Sequence, residues 1–445
     1  MKLVYDIKDK PKFGQLIVFA FQQLLAILAA TIAVPSIVGN GMSQSAALFG
    51  AGVGTIVYLL FTKFRSPVFL GSSFAFLGSM FAAFAGAVSV EAGYAGLIIG
   101  AILAGLVYVV IAIIVKVAGV NWIAKLMPPV VIGPTVAIIG LSLAGNAIGD
   151  ALHFAEFDAA NGVYIMSSKG WIGFVCALVT LLVVMLCSVF GKKMAKLIPF
   201  IIGIVAGYAV AAIFTVIGIK TGNDTLKIID FSLFSNMQWV PDFTFLKAIK
   251  GFSAVDGKYI ATLAVAYVPV AFVVFAEHIA DHKNLSSVIG KDLLEEPGLH
   301  RTLLGDGVGS MVGALFGGCP NTTYGESVGC VAITGNASVV TILATAIMAI
   351  IASFVAPFVT FLATIPSCVM GGVCITLYGF IAVSGLKMIQ KVDLDDNRNL
   401  FVVSVILIAG IGGMAITIGK VQLTEVACAL ILGIITNIVL SKKKA

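Results

Sequence analysis

Charge is scarce in this sequence. Lys, Arg, Asp and Glu make up 11% of its 445 residues, whereas 60% are apolar. Soluble domains carry roughly a quarter charged residues. The charge present cannot cover the water-facing surface of the several soluble domains that the length alone would suggest. The same balance excludes a disordered or collagen-like chain. The net charge is only +6 and the basic residues are scattered, which argues against a nucleic-acid binder. Histidine is scarce, with four residues, and no His, Cys or carboxylate spacing suits a structural metal site. The seven cysteines lie in or beside apolar stretches with no framework spacing and read as small buried hydrophobes. The polar first twelve residues lead into a long apolar run without a small-residue cleavage site, so no cleavable signal peptide is expected. What fits is an all-α polytopic membrane protein, with the lipid bilayer as the solvent of its outer face.

A helix needs about 20 apolar residues to cross the hydrocarbon core. Fourteen candidates occur, near 14–38, 44–62, 67–88, 94–117, 128–147, 171–190, 197–218, 258–281, 298–318, 320–335, 337–361, 366–386, 398–418 and 422–440. The third and tenth open on a proline, are interrupted by glycine and carry polar residues. With the N-terminus inside, 20 of the 27 Lys and Arg fall in inside segments, from Lys2 to Lys444. Of the other seven, five (Lys220, Lys227, Lys247, Lys250 and Lys258) sit in one long connection, where the positive-inside bias weakens. Both termini are therefore expected in the cytoplasm.

Two internal echoes divide the chain. Met127-Pro-Pro-Val-Val-Ile-Gly133 resembles Ile365-Pro-Ser-Cys-Val-Met-Gly371, and Pro67-Val-Phe-Leu-Gly71-Ser72-Ser73 resembles Pro320-Asn-Thr-Thr-Tyr-Gly325-Glu326-Ser327. Offsets of 238 and 253 residues imply two halves of seven spans, inverted because the number is odd. Residues 66–74 and 319–326 each read as a short extended stretch before a helix start. Non-helical backbone at membrane depth persists only where protein or a water-filled cavity shelters it. Paired interruptions in inverted halves point to a substrate site near the midplane.

The misplaced charges point to the same place. Glu277 lies deep in span eight and Glu326 at the break in span ten. Ionisable groups there cost about 2.5–3.5 kcal/mol each on insertion scales, which favours a ligand or proton site over a buried structural pair. Asp281, four residues after Glu277, shares its helix face. Neighbouring carboxylates repel as anions, which suits a site that loads and releases a proton, although a hydrated Asp281 at the interface is the competing reading. Asp306 in span nine is expected to hydrogen-bond across the bundle. His278 points to another face than Glu277, and His282 and His300 are expected at the interface. Pro128, Pro129, Gly133, Pro366, Gly371 and Gly372 suit either bending at a domain boundary or close helix packing.

These residues carry a resemblance. Pro320-Asn-Thr-Thr-Tyr-Gly-Glu326 with Ser327-Val-Gly329-Cys-Val-Ala-Ile-Thr334-Gly335 resembles the signature segment of the nucleobase/ascorbate transporter family. Glu277-His278, the Lys291–Arg301 loop and Gly71-Ser-Ser-Phe-Ala-Phe76 look like its bacterial uracil permease branch, and Leu377-Tyr378-Gly379 extends the match. The resemblance implies fourteen spans in two inverted repeats. A core domain would comprise 1–126 and 251–362, and a gate domain 127–250 and 363–445. It implies a proton-coupled importer of uracil in the cytoplasmic membrane that is not an enzyme, needs no cofactor beyond the coupling proton and forms a possible homodimer. Glu277 and Glu326 would hold the base and the backbone at Phe74 and Gly325 would meet its carbonyls. Phe74 and Tyr324 would flank it, Tyr378 would approach from the gate, and Ser73 completes the set. Proton coupling would fall to Glu277 and Asp281.

The ligand chemistry agrees. Uracil offers two N–H donors and two carbonyl acceptors, which carboxylates and half-helix N-termini complement. The branch usually has His where Asp281 stands, Asn at Ser327 and Gln-His at Gln22-Gln23. Asp281 instead suits relatives that carry xanthine or other oxopurines, so that specificity stays open. A channel or anion exchanger of similar architecture is a more distant alternative, and no motif supports an intramembrane enzyme.

Overall fold

The computed structural model describes residues 3–119, 128–192, 194–418 and 421–441. Lys2, Lys125, Met127, Lys193, Lys420 and Lys442 to Lys444 lie outside them, as do the expected domain edge at 126/127 and both chain ends. Among the described residues, eight helices are long and apolar enough to cross a membrane, or nine if one bent pair counts as a single span.

The first half contains α1 (Phe13–Val38), α2 (Gln44–Phe61), strand β1 (Leu70–Ser72), α3 (Leu77–Gly86) and α4 (Val90–Ala118). It continues with α5 (Pro129–Ser142), α6 (Ala144–Ala151), strands β2 (Glu156–Asp158) and β3 (Val163–Ile165), α7 (Ser168–Phe190) and α8 (Pro199–Thr221). The second half contains α9 (Gly257–Ile289), α10 (Leu299–Gly317), β4 (Asn321–Thr323), α11 (Gly325–Thr334), α12 (Val339–Ser353) and α13 (Ala356–Ala363). It ends with α14 (Ser367–Ile389), α15 (Asn397–Ile411), strands β5 (Ile416–Ile418) and β6 (Val421–Leu423), and α16 (Glu425–Ser441).

Both interrupted spans are broken as the sequence predicts. β1 pairs antiparallel with β4, with Leu70 opposite Thr323, Gly71 opposite Thr322 and Ser72 opposite Asn321. A 3-10 turn at Phe74–Phe76 follows β1 into α3, and α11 follows β4 directly. Antiparallel pairing sends these half-helices away from the sheet in opposite directions, the relation that inverted halves require. The second echo behaves alike. Pro128 and Pro366 precede α5 and α14, and these two helices pack together.

Packing sorts the helices into two groups. α1, α2, α4, α9, α10 and α12 pack among themselves, and so do α5 to α8 with α14, α15 and α16. Small residues permit the closest crossings. A Cβ at Gly54 would stand 2.7 Å from the Gly309 carbonyl oxygen, and one at Gly309 would stand 2.8 Å from that of Gly54. Gly371 and Gly372 abut the backbone at Ala151 and Ala177, and Gly133 abuts Ile389. At these positions the structure shows close packing rather than a bend.

Three expectations need correction. Span eight does not end at 281. Asp256 caps α9 by accepting from the Tyr259 N–H at 2.7 Å, and left-handed Gly290 (φ 70°) closes it after Ile289. His282 therefore lies a further two turns from the helix end and is buried, not interfacial. Span eleven is α12 and α13 bent by 81°, and α13 has Pro357 in its first turn, where a missing N–H is tolerated. Span thirteen stops at Ile411. Gly412 and Gly413 (φ 66°) end the helix, and β-branched Ile416 to Ile418 pairs with Val421 to Leu423 as a hairpin. The cysteines form no disulfide with one another, and all but the half-buried Cys187 are buried.

The N-terminal segment straps the end of α11. Tyr5 bridges Asn336, Val4 donates to the Gly335 carbonyl at 2.8 Å, and Lys291 Nζ lies 2.5 Å from Asp6 Oδ2. The Lys291 hydrogen bond holds the Asp6 carboxyl below its ordinary value of 3.8. The folded value is depressed, so this contribution is present at neutral pH and is lost only as pH falls through the folded value.

The small-residue crossing is testable. Gly54→Leu should lower stability by about 1–3 kcal/mol through overpacking, read as a lower thermal midpoint of the purified protein. Gly379→Ala, where an added Cβ meets nothing within 4 Å, should leave the midpoint in place.

Candidate functional site

The paired strands need every neighbour they have. Thr55 Oγ1 accepts from the Leu70 N–H at 2.9 Å and donates to the Leu70 carbonyl at 3.2 Å. Asn321 Nδ2 donates to the Gly50 carbonyl at 3.1 Å. Tyr324 Oη donates to the Ser72 carbonyl at 2.7 Å, and its ring lies against Gly71, where a Cβ would approach Tyr324 Cε2 to 2.4 Å. Only glycine admits that ring. Ser327 Oγ accepts from Gln23 Nε2 at 2.5 Å and from the Phe69 N–H at 3.2 Å, tying α11 to α1 and to the strand segment. Sequence reading marked Ser327 and Gln23 only as departures from the family pattern; here they bond to each other.

Beside the strands lies a cavity of about 690 Å³. Its lining includes Ser73, Phe74, Glu277, Asp281, Thr323, Tyr324, Gly325 and Glu326. Seven of the eight residues expected at the site thus share one cavity. Glu277 and Glu326 are half-buried, Gly325 is exposed to the cavity, and Ser73, Phe74 and Tyr324 are buried in its wall. Tyr378 is the exception. It does not line the cavity, but its ring packs edge-on against Phe74 with centroids 5.7 Å apart. It reaches the site through Phe74, from the side of α14.

Asp281 is not hydrated at an interface. It is 8% exposed, and its Oδ2 accepts from Thr323 Oγ1 at 2.7 Å. A carboxylate on α9 is thereby tied to the strand that opens α11. The first N–H groups of α11 have no partner within the helix and face the cavity at Gly325. Carboxylates thus stand beside amide donors, a set that can accept from and donate to one planar ligand with both functions. Ser73 Oγ and Thr322 Oγ1 are buried in the lining without a hydrogen-bond partner.

Behind this wall runs a second polar cluster. His278 Nδ1 lies 2.6 Å from Asp306 Oδ2 and its Nε2 lies 3.0 Å from Thr302 Oγ1. Asp306 thus bonds across the bundle, as expected, and His278 faces away from Glu277. His282 Nδ1 donates to the His278 carbonyl at 2.8 Å, and its Nε2 meets Tyr58 Oη at 2.7 Å. Tyr58 and Ser66 partner His282 from more than 200 residues away, so no local spacing could have revealed them. Among the described residues no group of three His, Cys, Asp or Glu is placed to hold a metal ion.

A cavity at the meeting point of opposed half-helices, inside a multi-pass bundle, is the architecture of secondary transporters. A family profile described as "Permease family" matches residues 14–419. The uracil permease of Bacillus caldolyticus is 41% identical over 444 residues, covering 99% of this chain and 95% of its own. That of Bacillus subtilis (strain 168) is 38% identical, over 100% and 96%, and that of Escherichia coli (strain K12) is 34% identical, over 96% and 92%. The chain belongs to this permease family, the nucleobase/ascorbate transporters. Solved structures share the fold. The transmembrane domain of a cyanobacterial bicarbonate transporter, BicA, superposes with a TM-score of 0.63 at 18% identity, covering 97% of this chain and all of that one. Murine Slc26a9, an anion transporter solved in the inward-facing state, gives 0.64 at 11% identity, over 98% and 69%.

The clasp at Ser327 yields a test. Ser327→Ala leaves the Phe69 N–H without its side-chain acceptor and the buried Gln23 amide with only its long 3.4 Å contact to the Ser327 carbonyl. The expected loss is about 1–3 kcal/mol, seen as a lower thermal midpoint; an unchanged midpoint would show that the clasp holds nothing.

Proposed function

We propose that the chain is a proton-coupled secondary transporter that imports uracil across the cytoplasmic membrane by alternating access. The observation that carries this reading is the convergence of Glu277 and Glu326 on one cavity at the sheet joining the two half-helices. Relatives named uracil permeases, matched over nearly the whole chain, support the substrate. Residues 1–126 and 251–362 form the core that carries the base, and residues 127–250 and 363–445 form the gate. The fourteen crossings leave both termini in the cytoplasm. The chain moves its ligand without transforming it and needs no cofactor beyond the coupling proton.

In this reading Glu277 and Glu326 accept from the two N–H groups of the base. The amides at Phe74 and Gly325 donate to its carbonyls. Phe74 and Tyr324 cover its faces, Tyr378 supports Phe74 from the gate, and Ser73 offers a further hydroxyl. Glu277 carries the proton, and Asp281, held by Thr323, is the neighbour that tunes it. A second reading, an oxopurine–proton symporter, is favoured by Asp281 and by a cavity larger than one pyrimidine ring fills. Xanthine presents the same dioxopyrimidine edge.

Labelled uracil should accumulate in permease-deficient cells expressing the protein, and a protonophore should abolish the accumulation. Glu326→Ala should weaken uracil binding roughly tenfold to a hundredfold; unaltered uptake would sink the site assignment. Excess xanthine should compete poorly; full competition would favour the oxopurine reading. Binding of the neutral base requires protonated Glu277, so affinity should fall as pH rises from mildly acid to mildly alkaline. A flat profile would remove Glu277 from the coupling role.

A further inference from the structure

The cavity carries a second chemistry that a neutral base does not use. Its inner wall is acidic, at Glu277, Asp281 and Glu326, but its lining also includes Lys196, Lys283, Lys387 and Lys391. All four lysines are exposed. None is in an ion pair: the pairs among the described residues are Arg65–Glu296, Lys227–Asp224, Lys247–Asp242, His278–Asp306 and Lys291–Asp6. Asp393, the acid nearest to Lys391 along the chain, is turned to the Asp395 N–H at 3.0 Å. Positive-inside bias accounts for lysines on this side of the membrane. It does not account for four exposed, unpaired lysines lining one cavity whose three carboxylates are buried or half-buried.

Their distribution matters as much as their charge. Lys283 stands on α9, in the first packing group. Lys196 precedes α8, and Lys387 and Lys391 stand at the end of α14, both in the second group. Like charges facing one another across an opening repel, and a polyanion between them turns repulsion into attraction. Lysine binds phosphate as a mobile point charge, with no need of a fixed fork. Four unpaired ammonium groups match the charge of a short polyphosphate chain. An anion bound there would touch both helix groups at once, so it would persist only in conformations that keep them together.

We propose that the lysine-lined mouth of this cavity binds a soluble polyphosphate anion, of the nucleoside di- or triphosphate class, and that the anion bridges the two helix groups and arrests the transporter in this conformation. The proposal rests on the reading of the cavity as the substrate route. It makes uptake responsive to the phosphorylated compounds of the compartment that receives the base.

The experiment uses the full-length protein and inorganic tripolyphosphate as the probe, with a nucleoside triphosphate in parallel. Tripolyphosphate should raise the thermal midpoint and, placed in the compartment that the mouth faces, should slow uracil flux in proteoliposomes. The fourfold variant Lys196→Gln, Lys283→Gln, Lys387→Gln, Lys391→Gln should bind tripolyphosphate roughly a hundredfold more weakly. It should still bind labelled uracil as the unaltered protein does. The fourfold Lys→Arg variant, which keeps the charge, should retain the anion effect and guards against misfolding of the glutamine variant. Raised salt should weaken the anion effect and spare uracil binding. Equal tripolyphosphate binding by the unaltered protein and the glutamine variant, or none by either, overturns the proposal. Loss of the effect in phosphatidylglycerol nanodiscs but not in phosphatidylcholine ones would assign the site to a lipid headgroup and also overturn it. Lysine-dependent tripolyphosphate binding without uracil binding would leave the anion site standing and remove the uracil reading.

Discussion

A broken span inside a membrane leaves backbone amides and carbonyls with no water to satisfy them. The pairing of β1 with β4 is the answer to that constraint, and the rest of the structure depends on it. Neither three-residue strand could exist alone at that depth. Each satisfies the other, Thr55, Tyr324 and Ser327 bond groups that the ladder leaves over, and Asn321 ties β4 to α2 at the Gly50 carbonyl. Because the pairing is antiparallel, the two half-helices point apart, and their N-terminal ends are brought to one place. The site follows from an obligation of the backbone before any side chain contributes specificity.

The side chains then divide the polar labour between two layers. Glu277, Asp281 and Glu326 face the cavity, while His278, His282, Asp306, Tyr58 and Ser66 bond among themselves behind it. The residues at 277, 278, 281 and 282 all come from α9, and helical geometry sends two of them forward and two back. The back layer leaves no charge or imidazole stranded in an apolar core. It also links α9 to α2 and α10, so the helix that presents the cavity carboxylates is held by bonds of its own to the same packing group.

How much of this was legible in the sequence differs by element. Pro67, Gly71, Pro320 and Gly325 announced two breaks, because proline and glycine act locally and leave a local mark. The fold class and the cavity residues Glu277 and Glu326 followed from those marks and from the rarity of charge, whereas Phe74 and Tyr324 entered only through the family resemblance. The hydrogen-bonded register of β1 on β4 did not, since two three-residue stretches 250 residues apart carry no pairing signal. The burial of His282 was missed because span eight was ended where hydropathy fell, and the same misplaced end left Asp281 open between the site and a hydrated interface. Polar residues with partners on other helices look like an interface when those partners cannot be seen. The hairpin after α15 was hidden for the converse reason: Ile416 to Ile418 is apolar enough to extend a span, and only the two glycines before it argue otherwise.

Small residues explain how such a bundle stays tight while dividing in two. Gly50, Gly54, Gly309 and Gly313 let α2 and α10 meet backbone to backbone, and Gly133, Gly140 and Gly385 do the same for α5 and α14. Those contacts lie within the packing groups. Between the groups the contact at the cavity is made by larger, softer surfaces, of which Phe74 against Tyr378 is the clearest. Backbone crossings resist sliding, since a shift of one residue puts a side chain where only hydrogen fits. An aromatic edge against a ring face tolerates it. The distribution of glycine therefore decides where the helices pack most tightly, and leaves the contact between the two packing groups at the cavity to larger side chains.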